Sequence, residues 1–334
     1  MTPRPPEGPQ VGSLAVGNRL LPLELRTVAS DPHRPSTLTA GHRACRGCGE
    51  ALAARVVVDA ASRAVGGRLV TVTATGCLEV FSSPYPESAW RTPWLHSLFG
   101  NAPAVAAGVA AALSVQGRDD VRVLAQGGDG GTLDIGFGCL SGMFERDDDV
   151  LYVCYDNQAY MNTGVQRSSA TPPEARTATT PVVRGVGNVT RHVKDAPRIA
   201  MAHGVRYVAT ATVADLHDLE GKVARAMSVR GARYLHVLVP CPLGWGTPTD
   251  QTIELARLAV RTGLFPLLEA EDGDIVASTP IRRRLPVTAY LERQTRFAHL
   301  FSPIRQDDVL DLIQREADRN VARYRLGRED GEPS

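Results

Sequence analysis

The stretch VRVLAQGGDGGTLDIG, residues 121–136, decides the fold. Its apolar opening, 121–126, reads as a buried strand. Four glycines then surround Asp129, and a helical pattern runs over 132–144. The next apolar run, 149–155, leads into YDNQAY, residues 155–160. A strand, a tight turn, one helix and a second strand make a βαβ unit, so the two strands are parallel. Parallel strands bring their carboxyl ends to one edge, where open α/β sheets bind ligands. Glycines let the backbone approach a ligand closely and adopt positive φ. The helix N-terminus behind them suits a phosphate. Asp129 beside a phosphate is repulsive unless a cation lies between, and Mg²⁺ favours one or two carboxylates plus phosphate oxygens. Asn157 can add an amide oxygen to that cation, and the Ala159 carbonyl another. No Gly-Lys-Ser/Thr follows, so this is not a Walker loop, and the third glycine of a dinucleotide fingerprint is misplaced.

Helical and apolar stretches alternate on both sides of this unit. The pattern predicts helices over 50–65, 102–115 (buried), 196–203, 213–228 and 253–262, and strands over 68–75, 207–212 and 234–239. The expectation is an α/β fold, a doubly wound and mostly parallel sheet over 39–265. An irregular, proline-rich lead covers 1–38, within which 20–28 could add an edge strand. A helical, charged extension at 266–334 would make subunit contacts. The polar connector at 157–193 is far longer than a usual loop, and loops of that length tend to be functional.

Composition narrows the function classes. There are 37 basic and 36 acidic side chains, and aromatics are 5%. That balance argues against nucleic-acid binding by charge or by base stacking. The apolar fraction, 43%, excludes intrinsic disorder of the whole chain. The longest apolar run, 102–113, is well short of the ~20 residues a membrane span needs. The first residues lack a secretory apolar core, so a cytoplasmic setting with reduced thiols is expected.

Four of the six cysteines then need an explanation. Cys45 and Cys48 form a C-x₂-C pair, and Cys77 and Cys241 each follow a strand. Four thiolates suit tetrahedral zinc or a [4Fe–4S] cluster, and one pair with two distant singles favours the cluster. Cys139 and Cys154 fall within a helix and a strand and read as buried packing. His42, Trp90, Trp94 and His96 read as packing too, and Arg282–Arg284 as a solvated loop.

GDG at 128–130 with asparagine at 157 resembles the thiamine diphosphate motif. In that superfamily the aspartate, the asparagine and a main-chain carbonyl hold the diphosphate through Mg²⁺. Together with GHRACRGCGEALAARV (41–56), TATGCLEVF (73–81), HSLFGNAPAVAAGV (96–109), YDNQAYMNTGVQRSSATP (155–172), AHGVRYVATAT (202–212), HVLVPCPLGW (236–245) and RLAVRTGLFPL (257–267), it resembles the thiamine-binding β subunit of 2-oxoacid:ferredoxin oxidoreductases. The pyruvate branch is the nearest.

The resemblance implies roles. Cys45, Cys48, Cys77 and Cys241 would hold the [4Fe–4S] cluster, and Asp129, Asn157 and the Ala159 carbonyl would hold Mg²⁺. Glu50, Gly128, Gly130 and Gly131 would line the cofactor site, and Asn162 would face the reacting carbon. The connector at 161–181 would close over the cofactor. The implied reaction is coenzyme A-dependent oxidative decarboxylation of a 2-oxoacid, with electrons leaving singly towards ferredoxin. Further clusters, and the glutamate that activates the thiamine, would come from α, γ and δ type subunits or fused equivalents, so the chain alone would be inactive. The lead at 1–38 is longer than the family pattern suggests. Pyruvate, a branched 2-oxoacid or an aryl glyoxylate could be the substrate. Two other readings stay open: a non-redox thiamine decarboxylase or synthase, and a non-catalytic module clipped by zinc.

Overall fold

The computed structural model describes residues 36–84 and 87–327. The possible strand at 20–28 lies outside them.

Eight strands form one sheet, in the order β2-β1-β3-β4-β6-β5-β7-β8. The first six in chain order are β1 (Leu69–Ala74), β2 (Trp94–Ser97), β3 (Arg122–Gly128), β4 (Val150–Asp156), β5 (Tyr207–Thr212) and β6 (Arg233–Leu238), and all are parallel. The two that close the sheet, β7 (Leu268–Glu271) and β8 (Asp274–Ser278), are antiparallel. This is the expected doubly wound, mostly parallel sheet with a short antiparallel edge. Every residue of β4, β5 and β6 is buried, as continuous apolar runs covered on both faces must be.

On one face, α1 (Gly49–Ala64) and α6 (Leu216–Ser228) pack on Leu151, Val153, Tyr155, Leu235 and Val237. On the other, α3 (Ala102–Val115), α4 (Phe137–Glu145) and α5 (Ala196–Ala202) cover Val123, Ala125, Tyr152 and Tyr234. A third core gathers Trp245, Leu255, Tyr290, Phe297 and Leu310. It lies among α7 (Pro242–Trp245), α8 (Thr252–Thr262), α9 (Thr288–Leu291), the 3₁₀ helix Thr295–Leu300 and α10 (Asp307–Arg323). Several short elements were not expected from the pattern: β2, β7, β8, α7, and α2 (Cys77–Ser82) directly after β1.

Three expectations are corrected. The α3 helix was expected to be buried, but only Ala102, Pro103, Ala106 and Ala107 are, while Ala104, Gly108, Ala111, Ala112 and Val115 are exposed. It is apolar all round because the residues are alanine and valine, yet one side only meets the sheet. The helix expected over 132–144 opens instead as a π-helical turn, Gly131–Ile135, before α4 begins. Such turns are uncommon and concentrate at functional sites. The helix expected from 213 starts at Leu216, because the Asp215 carboxylate caps it by accepting from the Asp218 N–H at 3.0 Å.

The residues that matter are placed by strand order. Neighbours β1, β3, β4 and β6 point the same way, and just beyond their carboxyl ends come Cys77, Asp129, Asn157 and Cys241. The outer two ends are three strand spacings apart, roughly 14 Å. The N-terminus of α1, with Cys48 as its cap, lies against this edge, where the Gly49 N–H donates to the Pro240 carbonyl at 3.2 Å.

Candidate functional site

Gly128 pairs with Tyr155 in the β3–β4 register, so Asp129 and Asn157 leave adjacent strands at one edge. Both are buried. Asp129 Oδ2 accepts the Ser168 hydroxyl, and its Oδ1 has no hydrogen-bond partner. Asn157 Nδ2 donates to Glu50 Oε2 at 3.1 Å, and its Oδ1 also has no partner. A buried oxygen without a partner costs free energy, and two at neighbouring strand ends call for a cation. A carboxylate oxygen and an amide oxygen are hard donors of the kind Mg²⁺ takes, and Ala159, two residues after Asn157, is buried as well. Burial, then the nearby Asp156 carboxylate, push the Asp129 carboxyl well above its usual range. Burial likewise pushes Glu50 up to about 7, against the stabilising bond from Asn157 and the nearby Leu78 backbone.

The glycines serve close approach rather than handedness. None of Gly127, Gly128, Gly130 and Gly131 takes positive φ, contrary to expectation. A Cβ on Gly127 would lie 2.5 Å from Tyr152 Oη, and one on Gly130 2.5 Å from the Tyr160 ring. Beside Gly128 there is open space. The turn is therefore packed from behind and clear at Gly128, as a cradle for a diphosphate must be.

The long connector lies across these strand ends. Ser168 meets Asp129, the Ser169 N–H donates to Asp134 Oδ2 at 3.0 Å, and Thr171 Oγ1 donates to the Gln158 carbonyl at 2.7 Å. Sequence reading missed Ser168. The only signal was the polar run RSSATP, which does not say which hydroxyl meets the carboxylate. Asn162 sits on an exposed turn, below which Tyr160 and Gln166 form a bridge.

The four thiols converge. Cys48 caps α1, its Sγ accepting the Ala51 N–H at 3.4 Å, and Cys241 caps α7, its Sγ accepting the Gly244 N–H at 3.4 Å. Cys77 opens α2, and Cys45 precedes Cys48 in a tight turn. Burial, then Glu50, Cys241, Cys48 and Cys45, raise the Cys77 thiol far above its ordinary value. Burial, then Glu50, push Cys48 up to about 12. Among the described residues, no three His, Cys, Asp or Glu side chains close on one point as ligands of a single ion. Cys77 lies within electrostatic reach of Cys45, Cys48 and Cys241, so the four thiols share one neighbourhood at three helix starts and a turn.

Some packing expectations are corrected. Trp90 is buried and Trp94 partly so, but His42 and His96 are exposed, with His96 stacked on Trp94 and bonded to Thr75 Oγ1 at 2.9 Å. Cys154 is buried as expected, whereas Cys139 is half-buried. Arg282–Arg284 are exposed.

Residues 74–237 match the family described as thiamine pyrophosphate enzyme, C-terminal TPP binding domain. The chain is 47% identical over 290 residues to pyruvate synthase subunit PorB of Methanosarcina barkeri, covering 86% of this chain and 97% of the relative. It is 50% identical over 264 residues to the subunit of that name in Methanothermobacter thermautotrophicus, covering 79% and 90%. Ketoisovalerate oxidoreductase subunit VorB of Pyrococcus abyssi is 42% identical over 78% of this chain and 85% of its own. The 2-oxoglutarate:ferredoxin oxidoreductase of Magnetococcus marinus, solved with 2-oxoglutarate, coenzyme A and succinyl-CoA bound, superposes with a TM-score of 0.53 at 26% identity, over 65% of this chain and 77% of that one. Among the described residues no helix is long and apolar enough to cross a membrane. The chain belongs to the PorB family, the thiamine-diphosphate-binding β subunits of 2-oxoacid:ferredoxin oxidoreductases.

Proposed function

We propose that this chain is the β subunit of a multi-subunit enzyme that oxidatively decarboxylates pyruvate to acetyl-CoA and CO₂, passing the electrons to ferredoxin. The observation that carries the reading is the pair of unpartnered buried oxygens, Asp129 Oδ1 and Asn157 Oδ1, at adjacent strand ends beside four thiols. The naming of relatives supports pyruvate, while the ketoisovalerate relative, nearly as similar, supports a branched 2-oxoacid as the second reading.

Asp129, Asn157 and the Ala159 carbonyl hold Mg²⁺ and through it the diphosphate, at a backbone kept open at Gly128. The Ser168 hydroxyl positions the Asp129 carboxylate, and Glu50 orients Asn157. Cys45, Cys48, Cys77 and Cys241 hold a [4Fe–4S] cluster, with Glu50 between them and the magnesium site. Thiamine diphosphate supplies the electron sink for loss of CO₂, and the cluster takes up electrons singly. Asn162, exposed here, meets the oxoacid only once a partner subunit covers it, which accords with a chain inactive by itself. The α, γ and δ type subunits supply the remaining clusters, the substrate pocket and the contact with coenzyme A.

The test is iron, acid-labile sulfide and zinc content of the anaerobically purified protein, with paramagnetic resonance after dithionite reduction and thiamine diphosphate titration with Mg²⁺. About four irons and four sulfides per chain with a reduced-cluster signal support the redox enzyme. Zinc without sulfide overturns electron transfer. Thiamine binding without iron leaves a non-redox thiamine enzyme.

A further inference from the structure

Asn157 makes two direct contacts, and through them it reaches three cysteine-bearing helices. Its Nδ2 donates to Glu50 Oε2 at 3.1 Å, and Glu50 lies in the first turn of α1, two residues after the cap Cys48. The Leu78 backbone, next to Cys77 at the start of α2, lies close enough to the same carboxylate to favour its charged form. The Asn157 carbonyl accepts the indole N–H of Trp245 at 2.8 Å, and Trp245 ends the short α7 that Cys241 caps. All three helix starts are thus tied to one residue of the magnesium turn.

The Trp245 tie is itself clamped. Trp245 is fully buried, and the Arg296 guanidinium lies 4.1 Å from its ring centroid. Arg296, also buried, donates from Nη2 to Gln158 Oε1 at 2.5 Å and from Nε to Gln294 Oε1 at 2.9 Å. Gln158 follows Asn157 and has φ +68°, a left-handed conformation that a residue with a side chain adopts only when its surroundings hold it there. The Asp156 carboxylate holds it from the other side, accepting the Gln158 N–H at 2.9 Å. The turn that presents Asn157 is therefore strained, and the residues that hold it reach back to the Cys241 loop.

We infer that Trp245, clamped by Arg296, is a positioning residue that joins the Asn157 turn to the Cys241 loop, so that filling the thiol cluster and filling the Asp129–Asn157 site favour each other. The inference rests on the function proposed above and adds to it a coupling between the two sites. A cluster that fixes Cys48, Cys77 and Cys241 also fixes Glu50 and Trp245, and so holds Asn157 ready for its cation. By linkage, the cation and diphosphate stabilise the cluster loop by the same factor. Trp245 touches neither group's reacting atoms and takes no part in the chemistry.

The experiment uses the anaerobically purified enzyme complex, cluster-loaded or with iron removed by chelator under reduction. The affinity for thiamine diphosphate with Mg²⁺ is measured by equilibrium dialysis, which needs no turnover. In the unaltered protein the cluster is expected to tighten binding by about tenfold, within the usual range of site coupling. Trp245→Phe keeps the ring under Arg296 but removes the N–H, and should bring that ratio to within about twofold of one. Arg296→Met keeps apolar packing on the ring and loses the bond to Gln158, and should reduce the ratio as well. If Trp245→Phe folds poorly, Arg296→Met decides the matter. A loss of stability alone would lower both affinities and leave their ratio unchanged, and that result overturns the inference, as does a ratio of one in the unaltered protein. Absence of thiamine diphosphate binding in both forms overturns the proposed function itself.

Discussion

The amide of Asn157 and the carboxylate of Glu50 meet at 3.1 Å, with Glu50 at the start of α1 and Asn157 just past the end of β4. This bond joins the turn proposed to hold magnesium to the element that bears Cys48. Glu50→Ala leaves Asn157 Nδ2 buried without an acceptor, at a cost of about 1–3 kcal/mol. Partners that orient metal ligands typically contribute 10–100-fold to affinity, so Glu50→Ala should weaken thiamine diphosphate–Mg²⁺ binding by roughly that factor. Isothermal titration checks it; unchanged affinity would remove Glu50 from the site.

Asp129→Asn separates binding from folding. The carboxyl is buried, has an unpartnered oxygen and lies near Asp156. Replacing it with an amide should leave the cofactor-free chain as stable or more so, because a buried charge is harder to accommodate than a buried amide. Mg²⁺-dependent thiamine diphosphate binding should weaken by at least about 100-fold, beyond what an orienting partner contributes. Thermal unfolding and titration on one preparation distinguish the two effects.

The glycine turn offers a paired test. A Cβ on Gly127 would meet Tyr152 Oη at 2.5 Å, whereas beside Gly128 there is open space. Gly127→Ala should destabilise the fold by about 1–3 kcal/mol through overpacking. Gly128→Ala should leave stability nearly unchanged and impair diphosphate binding. Equal effects of the two on unfolding would contradict the cradle.

Serine at Cys48, Cys77 or Cys241 should remove most of the iron and sulfide from the anaerobically purified protein, while Cys139→Ser should leave both at the unaltered level. Cys139 lies in α4, on the opposite face of the sheet from α1. Iron retained in all three of the first variants would count against a cluster there.

Acid stability has a separate source, at the amino end of β4. Asp149 Oδ1 accepts from Arg122 at 3.2 Å and from the buried Arg233, and its Oδ2 accepts from Arg230 at 2.8 Å. Burial raises its carboxyl, but Arg233, Arg230 and Arg122 together draw it below the ordinary 3.8. A depressed carboxylate stabilises the fold fully above its unfolded value, and that stabilisation is lost as pH falls through the lower folded value. Urea midpoints should therefore drop below about pH 4 in the unaltered protein. In Asp149→Asn the unfolding free energy at pH 7 should fall by about 3–5 kcal/mol, because Arg233 is stranded without its anion.

Much of the sheet, and the strand ends that carry Asp129 and Asn157, were legible because their signals are local. The runs 121–126 and 149–155 are continuous and apolar, so they read as central parallel strands, and GGDGG and YDN stand at the ends those strands must share. The α3 exposure was not legible, since alanine and valine look alike whether they face the sheet or the surface. The edge strands β7 and β8 escaped because their pairing is set by β5, not by their own pattern; every residue of β8 is at least partly exposed.

The amino-acid sequence alone determined the parallel α/β architecture, the acidic glycine turn with its asparagine partner, and a set of four cysteines outside the strand and helix interiors. Those properties follow from periodicity, backbone freedom at glycine and donor chemistry, which are carried by each segment separately. Only the tertiary structure decided that Ser168 meets Asp129, that Glu50 joins Asn157 to Cys48, and that Trp245 joins Asn157 to Cys241. Each of those contacts spans dozens of residues or more, and depends on strand order and helix docking, which no single segment encodes.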